Sequence, residues 1–246
     1  MRNLLKDGID QHKTYGTGEP LDVSFQYLKE GYFPPDTLFE SILISAGGDH
    51  APVNAAAMGV KLTGKDYLLI QPYTNTDTYR NMFQFPFATV NFTTNPLIFA
   101  RCALQGWEEG PSNPELGDED LHRWKDFPVP SLKSAFLSLK CTREPMENVR
   151  VGSRGMFLLV VKGAVVLTPP LPLTNRADNL AIEAIVHATR VKVFTGQGNF
   201  QMAKDLLVTI KKYEKYVKSN ALEGSPAWDA MERVNAFVKP YLSKIG

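Results

Sequence analysis

Apolar and polar positions alternate in short runs through the first two thirds of the chain. LFESILIS from Leu38, PVNAAAMGVKL, DYLLIQPY and FATVNFTT follow one another, separated by Gly, Asp and Pro. Two further runs, SAFLSLKCTREP at 134–145 and MFLLVVKGAVVL at 156–167, resume the signal after an interruption. Their β-branched and aromatic content and turn-rich spacing predict six neighbouring antiparallel strands, and closely spaced strands favour a barrel over a βαβ sheet. Residues 1–37 keep neither period for long and read as an N-terminal arm.

Beyond the Pro-rich break TPPLPLT at 168–174 the period becomes helical. In RADNLAIEAIVHATRVKVF, Ile182, Ile185, Val186 and Val193 recur at helical spacing, while Glu183, His187 and Arg190 share another face. NFQMAKDLLVTIKKYEKYV is amphipathic through Leu206, Leu207, Ile210, Tyr213 and Val217, with Lys211, Lys212, Lys215 and Lys218 read as a solvated face. A last helix is expected at 226–243. The predicted organisation is an arm at 1–37, a barrel domain at 38–170 and a helical region at 171–246.

Two inserts interrupt the strands. NPLIFARCAL at 95–104 opens with Asn95 and Pro96, an N-cap followed by proline at the first helical position, which predicts a short helix. WEEGPSNPELGDEDLHRWKDFPVP at 107–130 is acidic and Pro-rich, and two readings stand: a lid over a site, or a cover for a sheet edge.

Composition narrows the classes. The 246 residues carry 27 basic and 26 acidic side chains, a net charge of +1, which gives no overall field for holding a polyanion. No nucleic-acid partner is expected. Two cysteines, Cys102 and Cys141, make no disulfide framework, MRNLLKDGIDQHKTYG has no apolar signal core, and Lys162 and Gly163 break the longest apolar run. A cytoplasmic location without a membrane partner is the expectation. The four histidines are scattered, with no HExxH or CxxC pair, so no metal site is expected. Walker and GxSxG motifs are absent, and GQGNFQ at 196–201 reads as a helix cap and turn.

Two segments hold candidate chemistry. In QPYTNTDTYRNM at 71–82, Thr74, Asn75, Thr76, Asp77 and Thr78 crowd a helix start, followed by Tyr79 and Arg80. Free N–H groups, hydroxyls and a guanidinium suit a phosphate monoester, and a plain N-cap by Asn75 or Thr76 with Arg80 in solvent is the competing reading. In APVNAAAMGV at 51–60 the alanines, Met58 and Gly59 make a weak strand. A flat ligand approaching the backbone near Asn54 accounts for it, and so does tight packing against a strand or subunit.

Taken in order, ESILIS at 40–45, APVNAAAMGV at 51–60, TNTDTYRNM at 74–82, ATVNFTTNPLIFARCAL at 88–104 and IEAIVHATR at 182–190 resemble the uncharacterised DUF447 proteins, in the FMN-binding split-barrel group related to flavin reductases. The resemblance implies a mainly β fold with α, a six-stranded split barrel followed by helices, and a homodimer holding FMN near the subunit interface. It places Asn54, Ala56, Met58, Gly59 and Val60 near the flavin ring or ribityl chain. Thr76, Thr78, Tyr79 and Arg80 are placed at the phosphate, Asn91 and Thr93 at the other side, and His187 and Arg190 reach in from the helix. The implied activity is a flavin-dependent oxidoreductase, with a nicotinamide or other small-molecule electron partner; the alternative is a non-catalytic carrier or sensor of flavin or another phosphorylated ligand. His187 is the candidate proton donor, against a structural role bridging Glu183. The resemblance also points toward methanopterin-linked one-carbon metabolism.

Overall fold

The computed structural model describes residues 21–23, 25, 38–63, 67–104, 115–145, 150–166, 176–221 and 223–245. Almost all of the expected arm, the opening of the acidic insert with Trp107, and the Pro-rich break at 168–174 lie outside them. The described chain divides into two compact units, one formed by 1–93 with 117–171 and the other by 94–116 with 172–246.

The first unit contains β1 (Leu21–Val23), β2 (Leu38–Ala46), β3 (Val53–Thr63), β4 (Tyr67–Ile70), helix α1 (Asp77–Gln84) and β5 (Phe87–Phe92). After the insert come β6 (Leu121–His122), β7 (Ser131–Leu132), β8 (Leu137–Arg143), the small hairpin β9 (Arg150–Val151) and β10 (Arg154–Gly155), and β11 (Phe157–Val166). Strands β4, β3, β2, β5, β8 and β11 pair antiparallel in that order, and β11 closes on β4, giving a six-stranded barrel. β1 adds to the end of β11 that β4 leaves free.

Strand alternation fills the interior. Ala88, Val90 and Phe92 of β5, Leu137, Leu139 and Cys141 of β8, and Val60 and Leu62 of β3 join one buried cluster, while the intervening side chains face outward. Burial holds the Cys141 thiol far above its ordinary value, so it packs as an inert apolar group. In β11 the register slips between Val161 and Gly163, leaving Lys162 as the extra residue of a bulge. That slip turns Lys162 outward and returns Ala164 to the core. Helix α1 contributes Tyr79 and Met82 to the same cluster and plugs one end of the barrel.

One part of the wall is open. β4 has four residues and pairs only with Val60–Thr63, so along 53–59 strand β3 has a neighbour on the β2 side alone among the described residues. Pro72, without an N–H, follows β4 closely and prevents the pairing from continuing. Elsewhere the wall is covered: the Thr89 hydroxyl on the outer face of β5 donates to the carbonyl of Pro130 at 2.6 Å, and Lys140 of β8 meets Asp126 at 3.0 Å and lies 4.3 Å from the Trp124 ring centre. The described part of the insert is therefore a cover for the outer face of the sheet.

The second unit is helical, with α2 (Pro96–Leu104), α3 (Arg176–Gly196), α4 (Phe200–Asn220) and α5 (Pro226–Ile245). The Asn95 carboxamide oxygen accepts from Leu97 N at 3.0 Å, ahead of Pro96 at the first helical position. Although α2 lies between barrel strands in sequence, it packs on α3 and α5. The buried face of α3 is mainly an alanine stripe, Ala177, Ala181, Ala184 and Ala188, with Ile185 and Val191; Ile182, Val186 and Val193 are only half-buried. Small side chains carry little hydropathy signal yet let helices approach closely, which is why the larger residues misled the periodicity. Gly198 at φ +73° makes the turn into α4, where the Asn199 side chain caps the helix by accepting from Met202 N at 3.3 Å.

Candidate functional site

The first turn of α1 is built from the TNTDTYR segment. The Thr76 hydroxyl is the N-cap: it donates to the Tyr73 carbonyl at 2.7 Å and accepts from Tyr79 N at 3.3 Å. Thr76 thereby uses both its capacities on the backbone and shapes the turn. The amides of Asp77 and Thr78 carry no partner among the described residues, as expected of the first turn of a helix whose cap reaches only one donor. Thr78 is buried, and its hydroxyl accepts from the Asn54 side-chain nitrogen at 3.0 Å, tying the start of β3 to the start of α1. Two segments that the sequence keeps apart, 51–60 and 74–82, are thus one place.

Charge at this turn is arranged in an opposed way. Asp77 sits in the first turn, where the helix dipole favours an anion, and the exposed Arg80 pairs with its carboxylate one turn on. Arg80 lies in solvent, as the plain N-cap reading has it, and it neutralises the Asp77 carboxylate.

Sequence reading missed the second cation. The hairpin β9–β10 lies beside the approach to α1: Thr74 N donates to Ser153 O at 2.9 Å and Gly155 N to Pro72 O at 3.0 Å. This sets the Arg154 guanidinium 4.7 Å from the centre of the Tyr73 ring, with a nitrogen donating to the Tyr73 hydroxyl at 3.1 Å. Gly152 at φ +61° makes the hairpin turn. Gly155 is required for another reason, since a Cβ there would overlap the Tyr79 ring, which is wedged between Phe83 and Phe157 at centroid distances of 4.8 and 5.6 Å. The available signal was Arg-Gly after a Val-Gly-Ser turn, but nothing local says that this turn returns to residue 73.

Along β3 the expected residues divide by face. Asn54 joins α1; Ala56 and Met58 are half-buried, with Met58 packed against the barrel cluster. Gly59 faces outward, where a Cβ would come 3.0 Å from the end of the Leu38 side chain, itself 63% exposed. Val60 is fully buried in the barrel and paired on both sides, to Phe39 and Ile70, because β4 begins its pairing there.

Asn91 is the residue expected to close the other side. It lies on the outer face of β5, fully buried beneath the insert. Its nitrogen donates to Ile42 O at 3.1 Å, Thr89 O at 3.2 Å and Thr89 Oγ1 at 3.1 Å; its oxygen accepts from Leu132 N at 2.9 Å and Ser138 Oγ at 2.7 Å. No capacity is left for a ligand. Thr93, one alternation further along, donates to Ser134 O at 3.2 Å.

His187 and Arg190 belong to the second unit, on α3. The His187 ring lies 5.7 Å from that of Tyr213, and its Nδ1 is buried without a hydrogen-bond partner. Burial lowers its pKa below the ordinary histidine value; Glu183 draws it back up and Arg190 pushes it further down. The imidazole is therefore mostly neutral at pH 7, which weakens it as a proton donor. Among the described residues there is no group of His, Cys, Asp and Glu suited to a metal ion, and no helix is long and apolar enough to cross a membrane.

Residues 39–149 match the family model described as the N-terminal domain of the protein of unknown function DUF447. An FMN-bound DUF447 protein from Methanosarcina mazei superposes with a TM-score of 0.65 at 20% identity, over 85% of this chain and 98% of that one. A flavoredoxin from Methanosarcina acetivorans gives 0.43 at 17% identity over 52% and 67% of the two chains, and an NADH:FAD oxidoreductase from Streptomyces globisporus gives 0.42 at 15% over 53% and 77%. The superposition agrees with the strand order in giving a split barrel, and residues 39–149 are similar to the DUF447 N-terminal domain.

Proposed function

We propose that the barrel unit binds FMN and that the protein is a flavin-dependent oxidoreductase of the flavin-reductase kind. The observation that carries the reading is the pair of partnerless amides at Asp77 and Thr78, set beside Arg80 and, through Tyr73, Arg154. Backbone donors at a helix start with guanidinium groups beside them suit the terminal phosphate of FMN. In this reading Thr76 shapes the turn, Thr78 offers its hydroxyl proton while accepting from Asn54, Tyr79 anchors the helix in the core, and Arg154 is steadied by Tyr73. The FMN-bound relative with the same fold supports the choice of ligand.

The open stretch 53–59 of β3 offers the flavin ring backbone donors and acceptors along its edge, with small residues on either face of the strand, Ala56 on one and Gly59 on the other. A second copy of the chain is proposed to complete that side, with the exposed Leu38 in the contact. FMN, when bound, accepts and passes on hydride or single electrons; the protein orients it, excludes water and tunes the ring through hydrogen bonds. The proton donor is left unassigned, since His187 is held neutral. A nicotinamide is the proposed electron donor.

The test is an absorbance spectrum of the protein after incubation with FMN and desalting, followed by anaerobic addition of NADH or NADPH. Retained flavin that bleaches supports an oxidoreductase. Retained flavin that no nicotinamide reduces supports the carrier or sensor reading, and no retained flavin overturns both.

A further inference from the structure

The exposed face of α4 carries a concentration of lysines. Along the helix, Phe200, Lys204, Val208, Lys211, Lys215 and Lys218 fall within a sector of about 80° and span about 27 Å, with Leu207 and Lys212 on its flanks. Phe200 and Val208 are 47% and 51% exposed, unusual values for large apolar side chains set among lysines on one helix face. Lys211 and Lys218 share Glu214 at 2.9 and 3.3 Å, and Lys218 also meets Glu232 at 2.7 Å. Lys204, Lys212 and Lys215 have no carboxylate partner among the described residues, and the nearest exposed acid on the helix, Asp205, sits at the margin, where Gln201 holds it at 2.9 Å. In a chain of net charge +1 these are five lysines on four turns, of which three, Lys204, Lys212 and Lys215, are left without a carboxylate among the described residues.

The shape of the face narrows its occupant. Its open groove, about 420 Å³, is lined by Lys204, Leu207, Val208, Lys211, Lys212 and Lys215, all from α4. With no opposing wall, it cannot enclose a small molecule, which needs most of its surface buried. All the cations are lysines, compact charges on flexible stems without the guanidinium fork that reads a planar phosphate or carboxylate geometry. Lysines with apolar side chains exposed between them suit a fluid, laterally extended anionic layer: the stems lie along the surface, the ammonium groups meet head groups, and Phe200 and Val208 enter the boundary.

We propose that this face of α4 docks peripherally on an anionic lipid surface. The proposal is independent of the flavin reading.

The experiment is co-sedimentation of the full chain with vesicles of phosphatidylcholine alone or with about 30 mol% phosphatidylglycerol, at salt of about 0.05 M and about 0.5 M. Binding is expected to the anionic vesicles only, and to fall at least roughly tenfold at high salt. The triple variant Lys204→Glu, Lys212→Glu, Lys215→Glu is expected to lose binding roughly tenfold or more, whereas Lys125→Glu, Lys162→Glu, Lys239→Glu, with the same change in net charge at exposed positions elsewhere, keeps most of it. Circular dichroism melts check that both variants fold. Three results overturn the proposal: no binding to the anionic vesicles at low salt, equal binding to neutral ones, or equal loss in the two triple variants. Binding of soluble polyglutamate by a protein that ignores the vesicles also overturns it, in favour of an acidic protein partner.

Discussion

Strands β3 and β5 stand one strand apart in the same wall, on either side of β2, and each carries an asparagine among small and β-branched residues. Their backbone and side-chain polar groups meet opposite fates. β5 pairs with β2 and β8, its outer face lies under the insert, and Asn91 makes five hydrogen bonds in a fully buried setting. Among the described residues β3 has no second neighbour from 53 to 59, its side chains there are mostly half-exposed, and Asn54 makes one bond, to the first turn of α1. Polar residues in a strand are therefore not equivalent evidence of a site. Where every donor and acceptor is spent inside the protein, the group holds the fold; where a segment of ladder is left open beside a helix start, binding capacity remains.

The largest expected effect breaks the closed side. Asn91→Ala leaves Leu132 N and the Ser138 hydroxyl without their acceptor in a buried place, at roughly 1–3 kcal/mol for each unsatisfied group. A denaturant melt is expected to show a loss of about 3 kcal/mol, while the folded fraction still retains FMN. Loss of FMN at unchanged stability would instead put Asn91 at the ligand. Next is Gly155→Ala, which pushes a methyl into the Tyr79 ring against Phe83 and Phe157. Overpacking of this kind costs about 1–3 kcal/mol, and because Tyr79 belongs to α1, weaker FMN binding is expected together with the lower melting point.

The same contrast explains what the chain discloses before folding. The six barrel strands, Asn95-Pro96 as a helix start, Thr76 as one of two possible caps and Gly198 as a turn are local: each depends on alternation, a missing N–H or a side chain reaching its own backbone. Asn54 and Thr78 each had a local rationale, yet their mutual bond joins residues 24 apart, and Arg154 meets Tyr73 across 81. The surroundings of Val60 and Asn91 depend on where β4 starts pairing and where the insert lies, neither of which alternation encodes. On α3, alanines carry the packing and leave almost no trace in hydropathy.

On the open side, Arg154→Ala removes a charge-assisted contact from the proposed phosphate. FMN affinity is expected to fall by about 1.5–3 kcal/mol, read by fluorescence titration, with the melting point nearly unchanged, because Arg154 is exposed and touches only Tyr73 among the contacts that fix it. Unchanged affinity moves the phosphate elsewhere along the open edge.

The smallest expected effect has the opposite sign. Asp77 puts a carboxylate at the start of α1, where a phosphate is proposed to sit, and Arg80 neutralises it. Asp77→Asn removes the like charge and releases Arg80 toward the ligand, so FMN should bind more tightly, by about 0.5–1 kcal/mol at low ionic strength and less as salt screens the interaction. The apo protein should lose a few tenths of a kcal/mol, since an acid in the first helical turn favours the helix dipole. Tighter binding with a slightly less stable apo fold is a pairing that a ligand held away from α1 does not produce: there the substitution lowers stability and leaves affinity where it was.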